Sequence, residues 1–310
     1  MPITRNVEHE ITVAAPAKHV YHLIADVGNW PQLFAPTVHV EEVSQDERSQ
    51  RIRIWATANG TAKTWTSRRE LDPGALRIDF RQEVSQPPVG GMGGAWLVEP
   101  LSEDTSRVRL RHDYHAATDD PADLAWIDQA VDRNSRVELA ALKDSAAAAA
   151  SDLLFSFEDT VEIDGRARDV YDFVNEAQRW PERLPHVARV DLTEDTPGLQ
   201  VLEMDTRTQD GSTHTTRSVR VCLPHRQIVY KQVRVPALMT LHTGHWLFED
   251  RPGGGVTATS RHTVRINEDN IAGVLGESAD VAAARTFVRN ALSANSLATL
   301  GHAKNHAESR

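Results

Sequence analysis

Residues 20–40, VYHLIADVGNWPQLFAPTVHV, return 150 positions later as residues 170–190, VYDFVNEAQRWPERLPHVARV, without a gap. The same displacement relates Gly94, Trp96-Leu97 and Glu99 to Gly244, Trp246-Leu247 and Glu249, and Arg111-His112 to Arg261-His262. Self-similarity at a fixed period marks a duplicated structural unit. The chain of 310 residues is therefore read as two copies of one domain, 1–150 and 151–310, joined near the alanine run at 146–151. Farther on, Asn134-Ser135 matches Asn295-Ser296 at a displacement of 161, which predicts an insertion in the second copy around 270–278.

Periodicity gives the order of elements within a copy. Residues 7–13 alternate as a strand, and Pro16, tolerated in a helix's first turn, precedes Val20, Leu23 and Ile24 at helical spacing. Gly28-Asn29 ends that helix, and Trp30-Pro31-Gln32-Leu33-Phe34 predicts a second short one. Six β segments follow at 38–43, 51–58, 63–71, 76–84, 94–99 and 106–115, each bounded by turn residues. Asp119 and Asp120 before Pro121 signal a helix start, after which Leu124, Ile127, Val131, Val137, Leu139 and Leu142 continue as one long amphipathic helix. Helices segregated from strands in this way exclude a parallel βαβ sheet, so the class is α+β. A curved antiparallel sheet of about seven strands, closed by a long C-terminal helix, leaves an apolar space between the two layers. This order resembles the helix-grip fold of START-like ligand-binding domains, here in tandem.

Composition excludes several function classes. The 34 Lys and Arg against 44 Asp and Glu give a net charge of -10, which opposes nucleic-acid phosphates and anionic lipid, and no local basic patch reverses it. A lone cysteine, Cys222, rules out an intrachain disulfide framework and multi-thiolate metal sites, and makes the cytoplasm the expected compartment. The first residues carry no apolar stretch of signal-peptide length, and nowhere do eighteen apolar residues run uninterrupted, so neither export nor a membrane span is expected. No phosphate-cradling glycine loop and no His-Glu-x-x-His motif occurs, so no cofactor or metal is expected.

The most informative short segment is Trp65-Thr66-Ser67-Arg68-Arg69. Period two puts Trp65, Ser67 and Arg69 on one strand face. If that face is the inner one, it aims a cation at an apolar space, which is costly without a partner and marks a functional candidate. The alternative is an edge strand in which Arg69 pairs with Glu70 or Asp72. The second copy repeats serine and arginine at the same step, as Ser218 and Arg220, with Val219 and Val221 flanking the arginine. Of seven tryptophans, Trp30, Trp55, Trp65 and Trp96 fall in copy one beside Phe34, while copy two has Trp180 and Trp246 at corresponding positions, which predicts that the first pocket is the more aromatic. Gly90-Gly91-Met92-Gly93-Gly94 reads either as pocket wall approached closely by a ligand or as a surface turn.

Trp30-Pro31-Gln32-Leu33-Phe34, the strand Trp65-x-Ser67-x-Arg69 and Met92-x-x-x-Trp96 resemble the bacterial aromatic polyketide aromatase/cyclases, and two copies in one chain resemble their di-domain subclass. The resemblance covers essentially the whole chain. It implies an enzyme that receives a linear poly-β-ketone from an acyl carrier protein, alongside other polyketide synthase components, and forms and aromatises the first ring by aldol closure and loss of water. Such chemistry needs a base beside a carbonyl and a partner for the developing oxyanion. The resemblance makes Arg69 the oxyanion partner, with Ser67 positioning it, and Arg220 and Ser218 their repeats. His112, sharing a strand face with Leu110 and Tyr114, is the expected proton carrier, with His262 its repeat. The expected substrate-binding residues are Trp30, Phe34, Trp65, Met92, Trp96, Tyr114 and Asn134 in the first copy, and Trp180, His214, Trp246 and Asn295 in the second. Where the family often has a further tryptophan two residues before Trp65, this chain has Lys63; in copy two Trp65 becomes Thr216 and Phe34 becomes Leu184. Two other readings remain at this point: a carrier of a lipid, quinone or polyketide, which needs no inward cation, and a co-chaperone-type protein with a broad exposed apolar patch.

Overall fold

The computed structural model describes residues 3–147, 152–207 and 211–310. Part of the alanine run at 146–151, and with it the expected join, lies outside the described residues. The chain folds as two compact units, Met1–Ala150 and Ser151–Arg310.

In the first unit, strand β1 (Arg5–Val13) leads into helix α1 (Ala17–Ala25), a single 3-10 turn over Val27–Asn29 and the one-turn helix α2 (Trp30–Leu33). Pro16 sits just outside α1 as its cap, and the Asp26 carboxylate accepts from the Gly28 amide at 3.0 Å, turning the chain between the two helices. Strands β2 (Thr37–Gln45), β3 (Ser49–Ala58), β4 (Thr61–Asp72), β5 (Arg77–Val84), β6 (Val89–Pro100) and β7 (Ser106–Ala116) follow as a meander, and helix α3 (Pro121–Ala147) closes the unit. The sheet runs β1-β7-β6-β5-β4-β3-β2, so the first strand returns to pair with the last. Asp120 caps α3 by accepting from the Ala122 amide at 2.9 Å, as a carboxylate ahead of Pro121 should.

The second unit repeats this plan with β8 (Leu154–Ile163), α4 (Ala167–Asn175), α5 (Trp180–Arg183), β9 (Val187–Thr196), β10 (Leu199–Arg207), β11 (Thr213–Leu223), β12 (Gln227–Arg234), β13 (Met239–Asp250) and β14 (Val256–Ile266). Its sheet order is β8-β14-β13-β12-β11-β10-β9. The inserted residues form the short helix α6 (Ile271–Leu275), after which α7 (Val281–Glu308) is capped by Asp280. Each unit is thus a seven-stranded antiparallel sheet gripping a long terminal helix, the α+β helix-grip architecture.

The glycine run is not a surface turn. It lies inside β6, and its neighbours on the flanking strands explain it. A Cβ on Gly94 would stand 1.8 Å from the Arg111 carbonyl oxygen and 2.8 Å from Phe80 Cζ, and one on Gly93 would stand 2.2 Å from the Arg81 guanidinium carbon. Phe80, Gly94 and His112 are direct neighbours on β5, β6 and β7. Because the middle residue has no side chain, the Phe80 and His112 rings meet across it, 5.4 Å apart and edge to face.

Candidate active site

In the first unit β3 and β4 pair without interruption, setting Gln50, Ile52 and Ile54 opposite Arg69, Ser67 and Trp65. Gln50, Ile52 and Ile54 are all buried, so the strand face carrying the tryptophan, serine and arginine is the inner one. Arg69 is 1% exposed. It is not a surface partner of Glu70 or Asp72; Glu70 is held by Arg68.

The guanidinium nevertheless does not reach the cavity. Its Nη2 donates to the Ile24 carbonyl at 2.8 Å, and its Nη1 donates to Gln50 Oε1 at 2.8 Å and to the Ala25 carbonyl at 3.2 Å. Its face stacks on the Trp30 ring, 5.0 Å from the centroid. Burial lowers its pKa to about 10, opposed by Tyr21 and Glu42, so it remains a cation at neutrality. Ser67, also buried, contributes none of these bonds.

The cavity has Trp30, but not Arg69, in its wall. It measures about 140 Å³ and is walled by Trp30, Ile54, Trp65, Met92, Ile127 and Val131, with Lys63, Pro87 and Trp126 among its further lining residues. Lys63 bonds the Pro87 carbonyl at 2.8 Å and lies over the Trp126 ring. Asn59 donates to the Trp126 carbonyl and Asn134 to the Thr57 carbonyl, which ties α3 to the end of β3 beside the cavity. Within this apolar shell stand His112, Asn134, Ser135, Thr64 and Glu138. His112 Nδ1, Ser135 Oγ and Thr64 Oγ1 are buried without a hydrogen-bond partner, and all three belong to this one wall. Buried polar atoms are ordinarily satisfied, so three orphans around one cavity mark a surface arranged for a polar guest.

Glu138 escaped the reading of the sequence. It follows Asn134 by four residues and Ser135 by three on α3, hence on the same helix face. The residue is half-buried; among the described residues its carboxyl makes no hydrogen bond or ion pair, and loss of surrounding water alone raises its pKa to about 8. His112 moves the other way: burial, then the nearby His9, lowers it to about 4, against a weaker pull from Asp113. At neutral pH the imidazole is uncharged, and the group able to hold a proton is the glutamic acid.

Of the other expected residues, Trp30, Trp65, Met92, His112 and Asn134 line the cavity, and Phe34, Trp96 and Tyr114 do not. Phe34 and Trp96 stack on each other in the core, 6.1 Å apart. Tyr114 donates to Asp128 at 2.6 Å. Trp55 stacks on His39 and carries Arg53 over its ring.

The second unit repeats the frame with different side chains inside it. Arg220 Nη2 donates to the Val174 carbonyl at 2.8 Å and lies 5.2 Å over Trp180, as Arg69 does over Trp30. Ser218 is half-buried, and Trp180 and Trp246 share one core cluster. His214 and Asn295 are half-buried. His262, unlike His112, is saturated: Nδ1 lies 2.9 Å from both the Tyr230 hydroxyl and His242 Nε2, and Nε2 lies 2.7 Å from Ser296 Oγ. Gly244 makes this possible, since a Cβ there would stand 2.5 Å from the Tyr230 hydroxyl. The counterparts of Phe80, Met92 and Glu138 are Tyr230, His242 and Thr299. The Thr299 hydroxyl is engaged by the Asn295 carbonyl at 2.8 Å.

Two helix-grip units, the first with an aromatic-walled cavity lined by His112 and Glu138, define a two-domain, ligand-enclosing class of protein. Two matches to the family described as polyketide cyclase/dehydrase and lipid transport cover residues 4–147 and 163–288. The chain belongs to that family. It is 57% identical over 298 residues to the granaticin polyketide synthase bifunctional cyclase/dehydratase of Streptomyces virginiae, covering 95% of this chain and 97% of the relative. It is 45% identical over 314 residues to the actinorhodin polyketide synthase bifunctional cyclase/dehydratase of Streptomyces coelicolor, covering 97% and 96%. Among solved structures, the di-domain ARO/CYC BexL from the BE-7585A biosynthetic pathway superposes with a TM-score of 0.88 at 62% identity, covering 99% of each chain. StfQ, from the steffimycin biosynthetic pathway, superposes with 0.86 at 39% identity, covering 98% of this chain and 99% of that one. The protein is a di-domain aromatase/cyclase of aromatic polyketide biosynthesis. Among the described residues no helix is long and apolar enough to cross a membrane.

Proposed function

We propose that the enzyme accepts a poly-β-ketone delivered on an acyl carrier protein and closes and aromatises its first ring inside the first unit, with Glu138 carrying the proton. The observation that carries this reading is the unpaired Glu138 carboxyl inside an apolar cavity shared with His112, Asn134 and Ser135. A cavity of about 150 Å³ in another protein holds one benzene ring; the about 140 Å³ here matches the ring being formed, with the rest of the chain extending past Lys63 and Trp126.

The carbon between two ketones loses a proton to the Glu138 carboxylate. That carbon bonds to a second ketone carbon, whose oxygen takes the proton and becomes a hydroxyl. A further ring proton then leaves to the carboxylate, and the hydroxyl departs with the returned proton as water. With a pKa of about 8, roughly a tenth of Glu138 is ionised at pH 7, so base and acid forms are both available to the two steps. Asn134, whose amide nitrogen is held by Thr57, keeps its oxygen free to accept, and the Ser135 and Thr64 hydroxyls are free to donate to ketone oxygens. The second unit, whose matching polar groups bond one another, is assigned a supporting role.

The test is reconstitution of the full chain with a minimal polyketide synthase and mass analysis of products. The reading requires cyclised aromatic product at the expense of spontaneous shunt products; unchanged shunt products would end it. A carrier, by contrast, would bind the ketide equally well with Glu138→Gln and change no product in either form.

A further inference from the structure

We propose that Arg69 is a positioning residue: its guanidinium clamps the end of α1 to the Trp30 ring, so that the indole stands as a fixed wall of the cavity and sets which fold of the ketide is enclosed. This rests on the reading above that the first unit's cavity is where the ring closes.

The hydrogen bonds of Arg69 all end on residues outside the cavity wall. Three of its hydrogen bonds end on the Ile24 and Ala25 carbonyls and on Gln50. Gln50 in turn donates to Glu42 at 3.3 Å. The Ile24 carbonyl receives a second bond, at 3.1 Å, from the Trp30 indole nitrogen. One carbonyl at the C-terminal end of α1 therefore holds both the cation and the ring, while the cation's flat face supports the ring from behind. Helix C-terminal carbonyls carry partial negative charge and suit a buried guanidinium. An oxyanion partner needs donors 2.7–3.1 Å from the reacting oxygen, and this guanidinium is not among the groups that line the cavity.

The repeat supplies a control within the same chain. Arg220, Val174 and Trp180 rebuild the clamp in part: Arg220 bonds the Val174 carbonyl and lies over Trp180, but the Trp180 nitrogen bonds the Phe173 carbonyl instead, at 3.4 Å, and Arg220 Nη1 has no partner among the described residues. They do so in a unit where threonines stand in place of Glu138 and Trp65. The clamp thus persists where the proton carrier does not. In the first unit the clamped ring lines a cavity and packs on the Ile52 and Ile54 cluster that also carries Trp65. Two flat walls held at a fixed spacing confine a chain that must fold flat, and a wall displaced by about 1 Å is enough to cost roughly a hundredfold in rate.

The experiment uses the full chain in the reconstituted synthase, with Arg69→Lys, Trp30→Phe and the double variant, reading product distribution and rate, together with the Trp30 indole N–H resonance assigned by its loss in Trp30→Phe. Coupled residues do not add. Each single change is expected to lower correct product about 10- to 100-fold and to raise the same misfolded shunt products, with the double variant within about threefold of the worse single one. Arg69→Lys is expected to shift the indole resonance, and Arg220→Lys to leave the distribution unchanged. Multiplying effects, an unchanged distribution in Arg69→Lys or an unmoved indole resonance would overturn the clamp. If the unmodified enzyme fails to redirect products, the proposed function falls, while the indole resonance still decides the clamp.

Discussion

Replacing Glu138 by glutamine removes a carboxyl that burial holds protonated and keeps its shape, so two independent effects follow. The first concerns stability. An exposed glutamate titrates near 4.5 and Glu138 near 8, so between those values the unfolded chain is ionised at this position and the folded one is not. The folded state then binds more protons, and stability falls as pH rises through that window. The ceiling is about 1.4 kcal/mol per pH unit, near 5 kcal/mol across the window. Because the carboxyl faces a space that admits water, a cost of about 1–3 kcal/mol is the reasonable expectation. Glu138→Gln should therefore melt above the unmodified enzyme at pH 8 and level with it near pH 4.5, by differential scanning calorimetry. The second effect concerns rate: loss of a general acid–base costs about 10²–10⁴-fold, and the limb near pH 8 should vanish from the pH profile of product formation. A variant that keeps its rate within a few-fold, or whose melting difference does not grow with pH, would refute the reasoning.

Four other outcomes follow from the same geometry. His112, held near 4, should contribute no limb near 6.5 to the pH–rate profile, and a limb there removed by His112→Asn would contradict its burial. His262 near 4 and His242, lower than its usual value, are neutral when folded and charge more readily when unfolded, so the second unit should lose stability as pH falls from about 6.5 toward 4, as followed by hydrogen exchange. Tyr230→Phe leaves His262 short of a partner and should cost about 1–3 kcal/mol in denaturant melts while product distribution is unchanged. Gly94→Ala forces a methyl against the Arg111 carbonyl and the Phe80 ring; it should cost about 1–3 kcal/mol or more and disturb the His112 ring environment, visible in its NMR resonances.

The duplication and the element order were legible because strand alternation, helix caps and a constant displacement are local or additive signals. The shared face of Trp65, Ser67 and Arg69 was legible for the same reason, though not that it points inward. What period two does not contain is the identity of the partners behind that face. The carbonyls that bind Arg69 belong to α1, more than forty residues earlier, and they become available only when the helix end packs against β4. Burial, not spacing, sets the protonation of His112, and burial is not written in the strand period. Glu138 carried a readable signal, since its distance from Asn134 and Ser135 places it on their helix face, yet a glutamate on an amphipathic helix ordinarily faces solvent. The glycine run is explained by Arg81, Phe80 and Arg111 on other strands, which no inspection of the run itself reveals.

The most direct measurement is a crystal structure of the full chain with an unreactive poly-β-ketone mimic. The mimic should lie in the first unit between Trp30 and Trp65, with a ketone oxygen or the carbon between two ketones within hydrogen-bonding reach of the Glu138 carboxyl. Density beside His262 in the second unit, or a mimic whose oxygens bind the Arg69 guanidinium directly, would contradict the account.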